Sequence, residues 1–132
     1  MKKSAVTLIE MMIVILIMMI LAGIAVPMFR RNRLMAQETR ALVDLDTIRT
    51  AATMYHHDTE EWPPTGNTGA GLVNDDGVAN WDGPYLTEWK RDPWNNTYEL
   101  YDEGDSPTRR LIRSLGGETG EITLLLTPDI SR

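Results

Sequence analysis

The sequence contains no cysteine. That excludes a disulfide framework, a thiolate metal site and a cysteine nucleophile. An exported domain without disulfides is held together by packing or by a bound ion. The other residue types do not supply a catalytic set either. There is no nucleophile–His–acid grouping, no phosphate-cradling glycine loop and no group of zinc ligands. The two histidines, His56 and His57, are adjacent. On a helix they point about 100° apart and do not share one ion, so the run HHDTEE reads as a solvated helix end. Length narrows the field further. The chain has 132 residues, and a hydrophobic N-terminal end leaves about a hundred, room for one small domain. No enzymatic function is expected.

Charge is missing where the chain is most apolar. Residues 11–29 carry none. As a helix they measure about 28 Å at about 1.5 Å per residue, close to the hydrocarbon thickness of a bilayer. Lys2 and Lys3 precede the run, and Arg30, Arg31 and Arg33 follow it, so the positive-inside rule does not orient it. A cleaved secretory signal would be shorter and end in a small-residue site; no A-x-A closes this run, and the apolar pattern continues past the nearest candidate, Ala22-Gly23-Ile24-Ala25. A plain transmembrane anchor fits the length but leaves Glu10 unexplained. A carboxylate inside a membrane helix costs a few kcal/mol, and marks a function or a partner. The bland alternative places Glu10 at headgroup level, since side chains near helix ends reach the interface.

Positive charge is scarce in the rest. Residues 30–57 hold five Arg against three acids, a balance of +2; residues 58–132 hold six Lys/Arg against 15 Asp/Glu, a balance of −9. An acidic domain of this kind does not bind phosphate backbones, so no nucleic-acid partner is expected.

What is present divides into segments. In residues 30–57, Ala41, Leu45, Ile48, Ala52 and Tyr55 recur at steps of four and three, an amphipathic helical stripe. The run stops at Trp62-Pro63-Pro64. One helix is expected from about Thr7 to about His57, bent at Pro27. Residues 58–96 are turn-rich, anchored by Trp62, Leu72, Trp81, Tyr85, Leu86, Trp89 and Trp94 as satellite core. Asn74-Asp75-Asp76-Gly77 lacks the alternating ligands of an EF-hand and reads as a turn. Residues 97–132 hold three strand candidates: 97–102, 109–115 and 121–127. Turns at Gly104-Asp105-Ser106-Pro107 and Gly116-Gly117-Glu118-Thr119-Gly120 separate them. The expected class is α+β: a long N-terminal helix whose outer half packs on a small three-stranded antiparallel sheet.

Ala5-Val6-Thr7-Leu8-Ile9-Glu10 resembles the leader junction of type IV prepilins and pseudopilins. The resemblance implies residues 1–5 as a leader peptide, cleavage between Ala5 and Val6, N-methylation of Val6, and Glu10 as the family's glutamate at the fifth mature position. Pro27 matches the family's helix-kinking proline. Ala5 and Val6 themselves depart from the usual Gly and Phe or Met. After such cleavage the Val6 amine and Glu10 lie about one helical turn apart. In a filament the amine of one copy meets Glu10 of the next, so each buried charge has a partner. Glu10 and Pro27 are thus the candidate assembly residues, and residues 6–29 the membrane and assembly helix.

Tyr85-Leu86 followed by Asp92-Pro93-Trp94-Asn95-Asn96-Thr97-Tyr98 resembles the Y-L…D-P-W-G-N-x-Y block of major pseudopilins of type II secretion systems, with Asn95 in place of Gly. Ser114-Leu115-Gly116 resembles the opening of that family's calcium loop. By this resemblance Leu115, Glu118 and Asp129 are the candidate calcium ligands. Against it, residues 122–126 read as a strand, and calcium takes six to eight oxygens. The resemblance implies a pilin-like fold and a homopolymer, processed by a prepilin peptidase and methyltransferase. It also implies an inner-membrane assembly platform and minor pseudopilins as partners. The subunit would cross the inner membrane once, N-terminus cytoplasmic, before joining a periplasmic or extracellular filament. A type IV pilus subunit shares every N-terminal feature and stands as the alternative. A membrane-anchored domain that never polymerises is the third reading, and it leaves Glu10 without a partner.

Overall fold

The structure, a computed structural model, describes residues 6–103, 109–118 and 120–126. The chain forms two compact units, Met1–Ala36 and Gln37–Arg132. Helix α1, Leu8–Thr59, contributes to both. Strands β1 (Glu99–Glu103), β2 (Arg109–Gly117) and β3 (Gly120–Leu125) form an antiparallel meander in the order β1-β2-β3.

In the second unit the apolar stripe of α1 faces inward. Ala41, Leu45, Ile48, Ala52 and Tyr55 are all buried, joined by Ala51. All but Ala41 share one core with Leu72, Tyr98, Leu100, Ile112 and Leu126. Each large side chain so buried contributes roughly 1.5–3 kcal/mol against the entropy of ordering it. The helix ends where Thr59 turns back on it: its hydroxyl donates to the Tyr55 carbonyl at 2.7 Å and accepts from the Glu61 amide. Glu60 takes a positive φ of 60°.

The sheet differs from the sequence expectation at its edges. β1 starts at Glu99 rather than Thr97, because Thr97 bridges Arg91 and Leu100 bridges Gly66. Gly66 and Leu100 exchange both backbone hydrogen bonds at 2.8 Å, which satisfies β1 on its outer edge. The expected turn at residues 116–120 is tighter than anticipated. Gly116 and Gly117 belong to β2, which reaches Gly120 through a register shift between Ser114 and Gly117. A Cβ on Gly116, at φ +65°, would collide with the Gly120 carbonyl, so only glycine permits this closure. The turn expected at residues 104–107 lies outside the described residues.

Phenols clip α1 to the loops. The Tyr98 hydroxyl donates to Asp44 at 3.0 Å, that of Tyr55 to Asp76 at 2.7 Å and that of Tyr85 to Asp58 at 3.0 Å. Gly71, at φ +76°, lets the Tyr55–Asp76 pair pass: a Cβ there would lie 2.7 Å from Asp76 and 2.8 Å from the Tyr55 ring. Trp62, Trp81, Tyr85, Leu86 and Trp89 pack against the core as satellites. Their polar ends are used too: the Trp81 indole donates to the Gly71 carbonyl and the Trp89 indole to the Tyr98 carbonyl. The helix end is not simply solvated. His57 is exposed, but His56 is half-buried and stacks on Trp62 with ring centroids 4.2 Å apart.

Asp92 is the most committed polar group of this unit. It is 5% exposed. Its Oδ1 accepts from the Trp94 and Asn96 amides, and its Oδ2 from Asn96 Nδ2 and the Ser114 hydroxyl, the last at 2.6 Å. These bonds tie the D-P-W-N-N turn to β2. Asn95, which takes the place of the expected glycine, has φ +72°. Asn is among the few non-glycine residues that tolerate that region, so the departure preserves the turn.

Asp92→Ala removes one acceptor from four donors, and a single buried donor left unpaired costs about 1–3 kcal/mol. The expected result is a fall of about 3 kcal/mol in unfolding free energy for the full chain in detergent, measured by urea titration. Ser114→Ala should cost less, since it removes two hydrogen bonds, to Asp92 and from the Gly116 amide, where Asp92→Ala removes four. Burial first, then the hydrogen-bonded carboxylate, raises the Tyr55 and Tyr98 phenols above the ordinary tyrosine range. Folding therefore favours their neutral form. That stability is complete below the unfolded tyrosine value, about 10, and is lost as pH rises from there through the folded value. Absorbance at 295 nm should show these two tyrosines ionising only with unfolding. Tyr55→Phe combined with Tyr98→Phe should shrink that delayed step.

Candidate functional site

The first unit begins with a helix start written in the sequence. Thr7 precedes α1, and the Glu10 amide donates to its hydroxyl at 3.4 Å, while the Met11 amide donates to its carbonyl at 3.3 Å. Thr7-Leu8-Ile9-Glu10 thus has the spacing of a capping box, Ser/Thr three residues before Glu. The family signature and the capping signature coincide on Glu10. Its carboxylate sits in the first helical turn, where the helix dipole favours negative charge. The capping role of Thr7 is legible from spacing alone.

Beyond Glu10 the helix presents apolar side chains all round. Among the large ones from Val6 to Phe29, the least exposed is Val14 at 41% and the most exposed is Phe29 at 81%. No described residue of the chain covers this surface. The helix is long and apolar enough to cross a membrane. Pro27 lies inside it. Having no amide hydrogen, it leaves the carbonyl four residues back, that of Gly23, without its helical donor. Gly23 has open space around it, with nothing beyond its own helix near the place of a Cβ, so the missing hydrogen bond is not offset by side-chain packing there. Val6 and Glu10 both lie exposed at the helix start. Ala5 lies outside the described residues.

The candidate calcium ligands belong to the second unit. Leu115 is on β2 with its side chain half exposed, and Glu118 is exposed in the turn after β2. Asp129 lies outside the described residues. The surrounding polar atoms are already engaged. Ser114 donates to Asp92 and accepts from the Gly116 amide, and the Gly116 carbonyl accepts from Asn96 Nδ2 at 3.0 Å. Trp94 lies so close over Gly117 that a Cβ there would strike its ring. β3 pairs Ile122 with Ser114 and Leu124 with Ile112. Among the described residues no group of three or more His, Asp or Glu has metal-holding geometry. Leu115 and Glu118 alone do not supply the six to eight oxygens that calcium takes, and the described residues do not fit the ion by themselves.

Similarity to known proteins follows the same division. Residues 1–26 match the prokaryotic N-terminal methylation motif, and residues 36–113 match the family described as PilW, C-terminal. The chain is 33% identical over 108 residues to type II secretion system core protein G of Aeromonas hydrophila, covering 78% of this chain and 76% of that protein. It is 32% identical over 111 residues to the core protein G of Vibrio cholerae, covering 81% and 76%. With the core protein G of Escherichia coli K12 it shares 30% identity over 126 residues, covering 92% and 86%. With this identity over more than three quarters of the chain and the match to the methylation motif, the chain belongs to the type II secretion core protein G family, the major pseudopilins.

Proposed function

We propose that this chain is the structural subunit of a type II secretion pseudopilus, cleaved between Ala5 and Val6, methylated on Val6 and polymerised through residues 6–29. The observation that carries the reading is the apolar helix, which no described part of the chain covers. Lipid satisfies it in a single-pass inner-membrane form; the helices of other copies satisfy it in a filament, where close packing replaces lipid contact. The methionine pairs Met11-Met12 and Met18-Met19 suit such adaptable packing.

Glu10 then acts across copies. Cleavage creates a positive amine on Val6, and a neighbour's Glu10 neutralises it inside the bundle. Pro27, by leaving the Gly23 carbonyl without a donor, gives the helix a place to bend as it leaves the membrane. The work of extrusion comes from the assembly machinery. The chain contributes self-association, with an acidic domain facing outward.

Electron microscopy of the chain expressed with its assembly machinery should show short periplasmic-type filaments. Glu10→Leu should leave membrane insertion intact and cut filament yield at least about tenfold, the scale of losing one buried charge pair. Normal yield from Glu10→Leu would refute the pairing. Mass spectrometry of the mature chain should find its N-terminus at Val6, carrying one methyl group. An intact Met1, or cleavage near Ala25, would overturn the assignment of the leader.

A further inference from the structure

The second unit carries a cleft of about 620 Å3 between the outer face of α1 and the loop at Asp82–Tyr85. Asp46, Thr50, Thr53 and His57 recur along the helix at steps of four, three and four and form one wall, and Met54 contributes an apolar patch. Tyr85 forms the opposite wall, its hydroxyl held by donating to Asp58 and accepting from the Asp82 amide at 3.1 Å. Three carboxylates, Asp46, Asp58 and Asp82, stand against one arginine, Arg49. Those of Asp46 and Asp82 make no hydrogen bond or ion pair among the described residues.

The chain itself contains the complement. Lys90, Arg109, Arg110 and Arg113 are paired with Glu88, Glu103, Asp102 and Glu99 respectively, and Arg40 with Asp44. Arg91 donates to the Asn95 carbonyl. Arg30, Arg31 and Arg33 are exposed and make no such contact among the described residues. Charge is divided the same way. Residues 1–36 hold five Lys/Arg against one Glu, +4; residues 37–132 hold eight against 18 acids, −10. Copies brought together by their apolar helices alone would crowd like-charged domains, which repel one another.

We infer that this cleft receives the Arg30–Arg33 segment of a second copy. The guanidinium groups meet Asp46 and Asp82, while their aliphatic stems lie on Met54 and the Tyr85 ring, an arrangement that uses both parts of an arginine. The contact rests on the filament reading and adds to it a second, polar interface that fixes which neighbour fits, since charge complementarity selects partners and register more than it adds affinity.

The test exchanges the charges in the full chain, in cells carrying the assembly machinery, with filament yield as the readout and membrane insertion as a control. Arg31→Glu with Arg33→Glu should lower yield at least about tenfold, and so should Asp46→Arg with Asp82→Arg. The four substitutions together should restore it. Because the chain has no cysteine, Arg31→Cys combined with Thr50→Cys or Asp82→Cys gives a second readout. Oxidised filaments should then show a ladder of linked subunits, absent from either single variant, as a disulfide needs Cα atoms within about 7 Å. Unchanged yield in both double charge variants, with wild-type filaments present, overturns the contact and leaves the filament reading standing. A loss that the fourfold exchange does not restore, with no ladder, assigns the arginines to lipid phosphate and also overturns it. Absence of wild-type filaments defeats the filament reading itself.

Discussion

Everything in this chain answers to one unmet requirement: residues 11–29 form a helix with no charge and no cover from the described residues around it. At roughly 25 cal/mol per Å2 of apolar area, such a surface is not left in water. The molecule has two solvents that accept it, lipid and copies of itself. The second unit has its own buried core, independent of that surface. Its core is closed on α1 and the meander, and its outer surface is acidic.

The helical stripe and the meander were legible because each rests on a local period. Ala41, Leu45, Ile48, Ala52 and Tyr55 repeat as a helix requires, and all five are buried. Tyr98 and Leu100 alternate as a strand requires, and both face the core. Strand ends were less legible, because they depend on what the edge meets. Leu100 pairs outward with Gly66, 34 positions away, and no local pattern announces that. The same holds for the phenol–carboxylate ties: nothing near Tyr55 indicates Asp76, and nothing near Tyr98 indicates Asp44. His56 read as solvated because its neighbours are polar, yet Trp62 folds back over its ring.

The candidate sites differ in the same respect. The proposed leader junction and Glu10 lie in one contiguous run, within reach of a short motif, and the spacing of Thr7 and Glu10 also reveals the cap formed by Thr7. The hairpin after Ser114 is a long-range object. Its polar atoms could be assigned only once Asp92 and Asn96 were seen to occupy them. There β3 places Leu126 in the core and packs Ile122 and Leu124 against it. A strand thus lends this corner of the domain the cohesion that a loop would have to find elsewhere. Asn95 shows how a departure from a family pattern is to be weighed. The backbone requires a positive φ at this position, and Asn supplies it.

The three Tyr–Asp ties have a consequence for how the domain responds to salt. Each joins a neutral phenol to a carboxylate inside the domain, so its strength depends on contact geometry rather than on net charge attraction. Contacts between exposed arginines and exposed aspartates are of the other kind and fade as ionic strength shortens the Debye length. Salt therefore weakens such exposed pairs while the ties inside the domain hold.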